Sequence, residues 1–112
     1  MKAPHLNRAL ELEAATRVPD GAGGFTTSWV SQGTLWAEIK PGSGRDPAGE
    51  ELTLTSVPYR ITVRAALPGS ASRPKSEQRF SEGTRLFSIL AVTERDPAGH
   101  YLTCFCREEA PK

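Results

Sequence analysis

Apolar and polar positions alternate along most of this chain with a period of two. Leu10, Leu12, Ala14, Thr16 and Val18 interleave with Ala9, Glu11, Glu13, Ala15 and Arg17, the pattern of a strand with one buried face. The helix propensity of Ala, Leu and Glu pulls the other way. Alternation nevertheless lasts the whole stretch, and Pro19-Asp20-Gly21 closes it as a turn, so a strand is expected. Gly23-Gly24 then releases the chain into Phe25 to Val30 and, past Ser31-Gln32-Gly33, into Leu35 to Pro41. That interruption predicts a bulge or tight bend within one long strand. Both tryptophans, Trp29 and Trp36, lie here. Since each can bury about 200 Å², the pattern predicts a core built around them.

Residues 41–56 break the alternation, and a connection of that length in a small domain is either functional or disordered. Beyond it, Tyr59, Ile61, Val63, Ala65 and Leu67 face one way and Arg60, Thr62, Arg64 and Ala66 the other, with a second loop from Pro68 to Lys75. Gln78-Arg79-Phe80 and Arg85 to Val92 flank Gly83-Thr84 as a hairpin. The run Arg85 to Val92 is apolar on both faces and should be covered twice, by the core and by another element or subunit. Arg95-Asp96-Pro97-Ala98-Gly99 turns the chain into a last strand, His100 to Arg107. The same pentapeptide stands at residues 45–49, but its flanks diverge, so it reads as one turn chemistry used twice: Asp caps, Pro presets φ, Gly takes the left-handed position.

The expected fold is therefore all-β: a small antiparallel β-barrel with a long loop between the second and third long strands. One domain spans residues 1–112, with an N-terminal arm at 1–8, the loop at 41–56 and a C-terminal tail at 108–112. The candidate core is Phe25, Trp29, Trp36, Ile61, Val63, Phe87, Ile89 and Leu102.

Composition agrees with a turn-rich globular domain: 38% hydrophobic and 24% charged residues, with Gly 10 and Pro 9. No apolar run is long enough to cross a bilayer, and the first residues lack the hydrophobic segment of a secretion signal, so the chain is expected to stay where it is made. With 14 basic and 13 acidic side chains the net charge is +1, which gives no general attraction to nucleic acid. Cys104 and Cys106 lie two apart in a strand, on one face, and read as small buried or half-buried thiols. Neither His5 nor His100 has the spacing to complete a zinc site with them.

No reaction is legible. There is no phosphate-binding glycine loop followed by Lys-Ser or Lys-Thr, and neither histidine sits beside a nucleophile in a known motif. The pairs Glu50-Glu51 and Glu108-Glu109 read as solvated charge. Arg60, Arg64, Arg73, Lys75 and Arg79 could form a phosphate-facing patch, with Tyr59, Phe80 or Tyr101 as stacking partners. Interleaved Glu77 and Glu82, and the opposite parity of Tyr59, favour a solvated or subunit-pairing face instead. No enzyme, cofactor or metal is expected.

Taken in order, several segments resemble one family. They are the strand ending in Arg17, the turn Asp20-Gly21-Ala22-Gly23-Gly24, Thr27-Ser28-Trp29, Leu35-Trp36-Ala37-Glu38-Ile39-Lys40-Pro41, and Glu50-Glu51. Tyr59 to Arg64, Gly83 to Ile89 and Leu102 to Glu109 complete the set. Over roughly residues 6–109 the chain resembles the head-tail joining proteins, also called head-closure or stopper proteins, of long-tailed bacteriophages and gene transfer agents. The resemblance implies a small barrel that assembles as a ring of six or twelve subunits below the portal and its adaptor, within the virion after assembly in the bacterial cytoplasm. It further implies that the ring helps close the DNA exit channel, passes double-stranded DNA without reading its sequence, and presents a docking surface to tail terminator and tail tube proteins. The 41–56 loop, with Arg45, Asp46, Glu50 and Glu51, is the part expected to reach the channel or a neighbouring subunit. A circle of Asp46, Glu50 and Glu51 would repel passing phosphates. The readings from other classes are a free barrel module that binds single-stranded nucleic acid or a peptide, and a different neck component such as a tail terminator.

Overall fold

A computed structural model describes residues 3–42 and 56–109. Six strands form one closed antiparallel barrel in the order β1-β2-β3-β6-β5-β4. They are β1 Arg8–Pro19, β2 Phe25–Pro41, β3 Ser56–Arg64, β4 Arg79–Glu82, β5 Arg85–Glu94 and β6 Tyr101–Glu109. The alternation in the sequence thus becomes the alternation of the barrel wall, and the strand reading of residues 8–19 holds against their helix propensity.

Leu10, Leu12, Ala37, Ile61, Val63, Phe80, Phe87, Ile89, Leu102, Cys104 and Cys106 fill the interior. Phe25, Trp29 and Trp36, expected in the core, are instead 57%, 36% and 60% exposed. Register explains all three. In β2 the interior positions are Leu35, Ala37 and Ile39, so Trp36 between them points outward. Leu12 pairs with Gly33 and Glu13 with Ser31, which leaves Gln32 as an extra residue at the expected bulge. A bulge reverses the side on which later residues fall, so Trp29 and Trp36, an odd number of residues apart, share the outer face.

Phe25 is exposed for a different reason. β1 pairs with β4 only over Glu11 to Glu13, and β2 with β3 only over Ala37 to Pro41. Beyond Glu13 and Ser31 the two strands pair with each other alone, and this ribbon runs past the barrel for six rungs, roughly 20 Å. Without a third strand or a second layer, both of its faces meet water in the single chain. Its tip is well formed: Asp20 Oδ1 accepts the N–H groups of Ala22 at 2.7 Å and Gly24 at 3.0 Å, and Gly21 and Gly23 take positive φ.

A second bulge lies in β5, where Ile89 pairs with Cys106 and Ala91 with Phe105, so that Leu90 is pushed out of the wall and is 54% exposed. The double cover expected for this strand is therefore present only on the inside among the described residues. The β4–β5 hairpin has the two-residue turn Gly83-Thr84, with Gly83 at φ 61°. The second turn pentapeptide works as read. Asp96 accepts from the N–H groups of His100 and Tyr101 at 3.2 and 3.0 Å, and Gly99 sits at φ 70°. The first copy, residues 45–49, lies outside the described residues.

Three boundaries shift. Glu108 and Glu109, read as tail, are the last rungs of β6, paired with Phe87 and Leu86. Arg8, read as arm, opens β1. Leu67, read as continuing the inward face of β3, lies past the strand's end at Arg64 and is 80% exposed.

Candidate functional site

Arg8, Glu82, Arg85, Glu108 and Tyr59 carry the inward parity of their five strands to one end of the barrel, where they close it. Arg85 Nε and its neighbouring guanidinium nitrogen donate to both Glu108 oxygens at 2.7 and 3.1 Å, a bidentate pair. Arg8 grips Glu82 in the same way, with Nε at 2.8 Å from Oε2, and Arg85 stands 3.7 Å from the same Glu82. The hydrogen bond from Arg8 holds the Glu82 carboxyl below its ordinary range, and that from Arg85 does the same for Glu108. Tyr59 packs edge-on against Phe87 at 5.5 Å, joining this lid to the core. Pro41 and Ser56, which bound the long connection, and Glu109 at the end of β6 lie at the same end.

On the outside, Glu38 is nearly buried although it faces away from the core. Burial pulls its carboxyl up, but the His5 N–H at 2.9 Å, Lys40 and Arg95 together outweigh it, and the net displacement is downward. The Arg95 guanidinium lies 3.4 Å from Glu38 and donates to Thr62 Oγ1 at 3.2 Å. Thr62, on the face of β3 expected to be solvated or to pair with another subunit, is buried beneath this contact. The N-terminal segment thus lies across the outer wall of β2.

The five cations singled out in the sequence do not form one platform. Arg73 donates to the Ala66 carbonyl at 2.7 Å and holds its own loop. Arg79 is bonded to Glu13 at 2.6 Å and stacks on Trp29 at 4.0 Å. Arg64 lies 5.7 Å from the Tyr101 ring. Phe80, a proposed stacking partner for bases, is fully buried in the core. The loop residues Arg45, Asp46, Glu50 and Glu51 lie outside the described residues.

Cys104 and Cys106 are buried. Burial pushes the Cys104 thiol up to about 12 and that of Cys106 higher still. Only the thiolate reacts or binds metal, so both groups are inert in the folded chain. A thiol reagent at pH 8 is expected to label neither cysteine until denaturant unfolds the barrel; stoichiometric labelling of the native protein would contradict this. Among the described residues there is no group of three metal-ligating side chains.

What remains exposed is apolar and unusual for so small a wall: Val18, Phe25, Trp29 and Val30 on the ribbon, Trp36 on β2, Leu90 on β5 and Phe105 on β6. Exposed apolar patches of this kind mark interaction surfaces. The sequence profile of phage head completion proteins matches residues 1–109. This chain belongs to that family. A chain in the virion of a native gene transfer agent particle is 58% identical, covers 98% of this chain and all of its own length, and superposes with a TM-score of 0.80. Protein SF1141 from Shigella flexneri 2a, at 24% identity and full coverage of both chains, has a TM-score of 0.71 and shares the fold. No curated protein matches.

Sequence reasoning missed the barrel-end lid, because its members lie on five strands and only register brings them together. Phe80 was missed as core, and Leu10 and Leu12, which the alternation of β1 had placed on its buried face, were left off the candidate core although both are fully buried.

Proposed function

We propose that this head completion protein is a structural subunit of the neck between capsid and tail of a gene transfer agent or tailed phage particle. In that position it forms a ring that closes the DNA exit channel below the portal and adaptor and offers the tail its docking surface. The observation that carries the reading is the end-to-end likeness, at 58% identity, to a chain of a gene transfer agent virion. The physical design supports it. The barrel is closed, the strand ends at Arg8, Pro41, Ser56 and Glu109 lie at one end of it, and its outer surface exposes several large apolar side chains. Double-stranded DNA passes such a ring without base readout, and Arg45, Asp46, Glu50 and Glu51 of the long loop are assigned to the bore or to a neighbour by the family resemblance. The protein supplies shape and contacts, and performs no catalysis.

Deleting the gene in a producing cell tests this. Filled capsids that lack tails, or that lose their DNA on purification, are expected, with complementation by the intact gene. Particles of normal morphology and transfer titre made without the polypeptide would overturn the proposal. The free nucleic-acid module predicts oligonucleotide binding by the purified chain with a steep salt dependence; the dispersal of Arg64, Arg73 and Arg79 into intrachain contacts weighs against it.

A further inference from the structure

Two patches on opposite walls of the barrel are complementary in charge, and each is apolar at its centre. On β1 and β2, Ala9 pairs with Trp36, whose indole is 60% exposed, and Glu11 lies two residues along on the same outer face. On β5 and β6, Ala91 pairs with Phe105, 40% exposed, beside the bulged Leu90. Phe105 is in turn paired with Arg60 of β3, and Arg60 with Lys40 of β2. The order β1-β2-β3-β6-β5-β4 sets β1 and β2 across the barrel from β6 and β5.

Lys40 is already met by Glu38 at 3.7 Å, but the charges of Glu11 and Arg60 are not used within the chain. Among the described residues no carboxylate bonds Arg60, and no cation bonds Glu11. Arg60 stands directly opposite Lys40, a like charge that costs stability where no anion is near; Glu38 meets Lys40, which leaves Arg60 as the cation open to an outside carboxylate. Next to them lies a groove of about 360 Å³ whose lining includes Phe105 and Arg60 and also Glu38 and Glu94. It is large enough for an aromatic side chain, and it puts a guanidinium where it can lie on the ring face.

We infer that these patches are the two halves of the contact between neighbouring copies of this chain, with Trp36 of one subunit against Phe105 and Leu90 of the next, and Glu11 against Arg60. This rests on the ring reading above and deepens it. The occupant is a second copy because the two patches differ from each other and lie on opposite walls. A head-to-tail contact uses both and leaves each available to one neighbour, which is the condition for a ring. A two-fold dimer would pair one patch with itself, setting Arg60 near Arg60 or Glu11 near Glu11.

The test uses assembled particles. Glu11→Cys and Arg60→Cys are combined in one chain, and purified particles are treated with a short bis-maleimide; the native thiols are buried. A ladder of cross-linked multimers of this polypeptide is expected for the double variant, with monomer or at most dimer for each single variant. Monomer only, from particles that contain the double variant, would overturn the interface while leaving the ring reading intact. Absence of the wild-type polypeptide from particles would instead defeat the ring reading. If the cysteine variant is not incorporated, charge reversal decides: Arg60→Glu is expected to lower transfer titre and a second change, Glu11→Arg, to restore it. Equal loss in the single and double reversal variants would overturn the pairing.

Discussion

Phe87→Ala is expected to lower the unfolding free energy by about 3–5 kcal/mol, the cost of removing a fully buried phenyl ring from a packed core. That is a large part of the roughly 5–15 kcal/mol available to a domain of this class. At about 4–8 °C per kcal/mol, the midpoint of thermal unfolding should fall by roughly 12 °C or more. The position is more sensitive than its volume suggests, because the ring joins two systems. One side lies in the interior with Phe80, its cross-strand partner, and the other meets Tyr59 edge-on and the Arg85 guanidinium at 4.9 Å. A calorimetric scan showing a shift of only a few degrees would mean that the barrel end collapses to fill the cavity.

The second large effect is a change of sign with pH. In the wild type Glu82 and Glu108 are held below the ordinary glutamate value of 4.5 by Arg8 and Arg85. Their folded-state values are depressed, so their contribution to stability is complete above the unfolded value and is lost as pH falls through the folded one. The wild type should therefore lose stability on acidification below about pH 4.5. In Arg85→Met, Glu108 loses its bidentate partner, while Glu82 keeps Arg8. Two neighbouring carboxylates then share one cation. At neutral pH the loss should be about 1–2 kcal/mol, reduced from the value of a buried charge-assisted pair because the Arg85 side chain is 37% exposed. Lowering the pH from 7 to 5 should stabilise this variant, as Glu108 protonates early, while leaving the wild type nearly unchanged. Urea titrations of both proteins at the two pH values measure the crossover; parallel pH dependence would show that the lid does not depend on Arg85.

Much of the architecture was legible because antiparallel strands announce themselves locally. Alternation over residues 9–18 and 59–64 and the turns at Asp20, Gly83 and Asp96 needed only neighbours in sequence. So did the bulge at Gln32. The family was legible for a related reason: turns and strands in a fixed order preserve a recognisable succession even when no single motif is distinctive. The placement of the tryptophans was not legible. Aromatic content says that a strand will be covered, but not whether by its own barrel or by another molecule, and the answer depends on how far β1 and β2 run beyond β3 and β4. The hydrophobic count was right and its destination wrong, and the exposed residues Phe25, Trp29 and Trp36 are those that the assembly reading now uses or leaves to a partner.

The sequence by itself determined a β-rich domain, the positions of its turns, the inward face of β3 and the membership of the head completion family, since each depends on period, turn chemistry or order along the chain. Tertiary structure alone decided that the sheet closes through β1 and β4, that four charged residues and Tyr59 meet as a lid, and that the outer walls oppose an anion-flanked Trp36 to a cation-flanked Phe105. Those facts depend on registers between strands as many as 74 residues apart, as in the Arg8 to Glu82 contact. Such registers are settled by which core side chains pack together, and no local pattern encodes that choice.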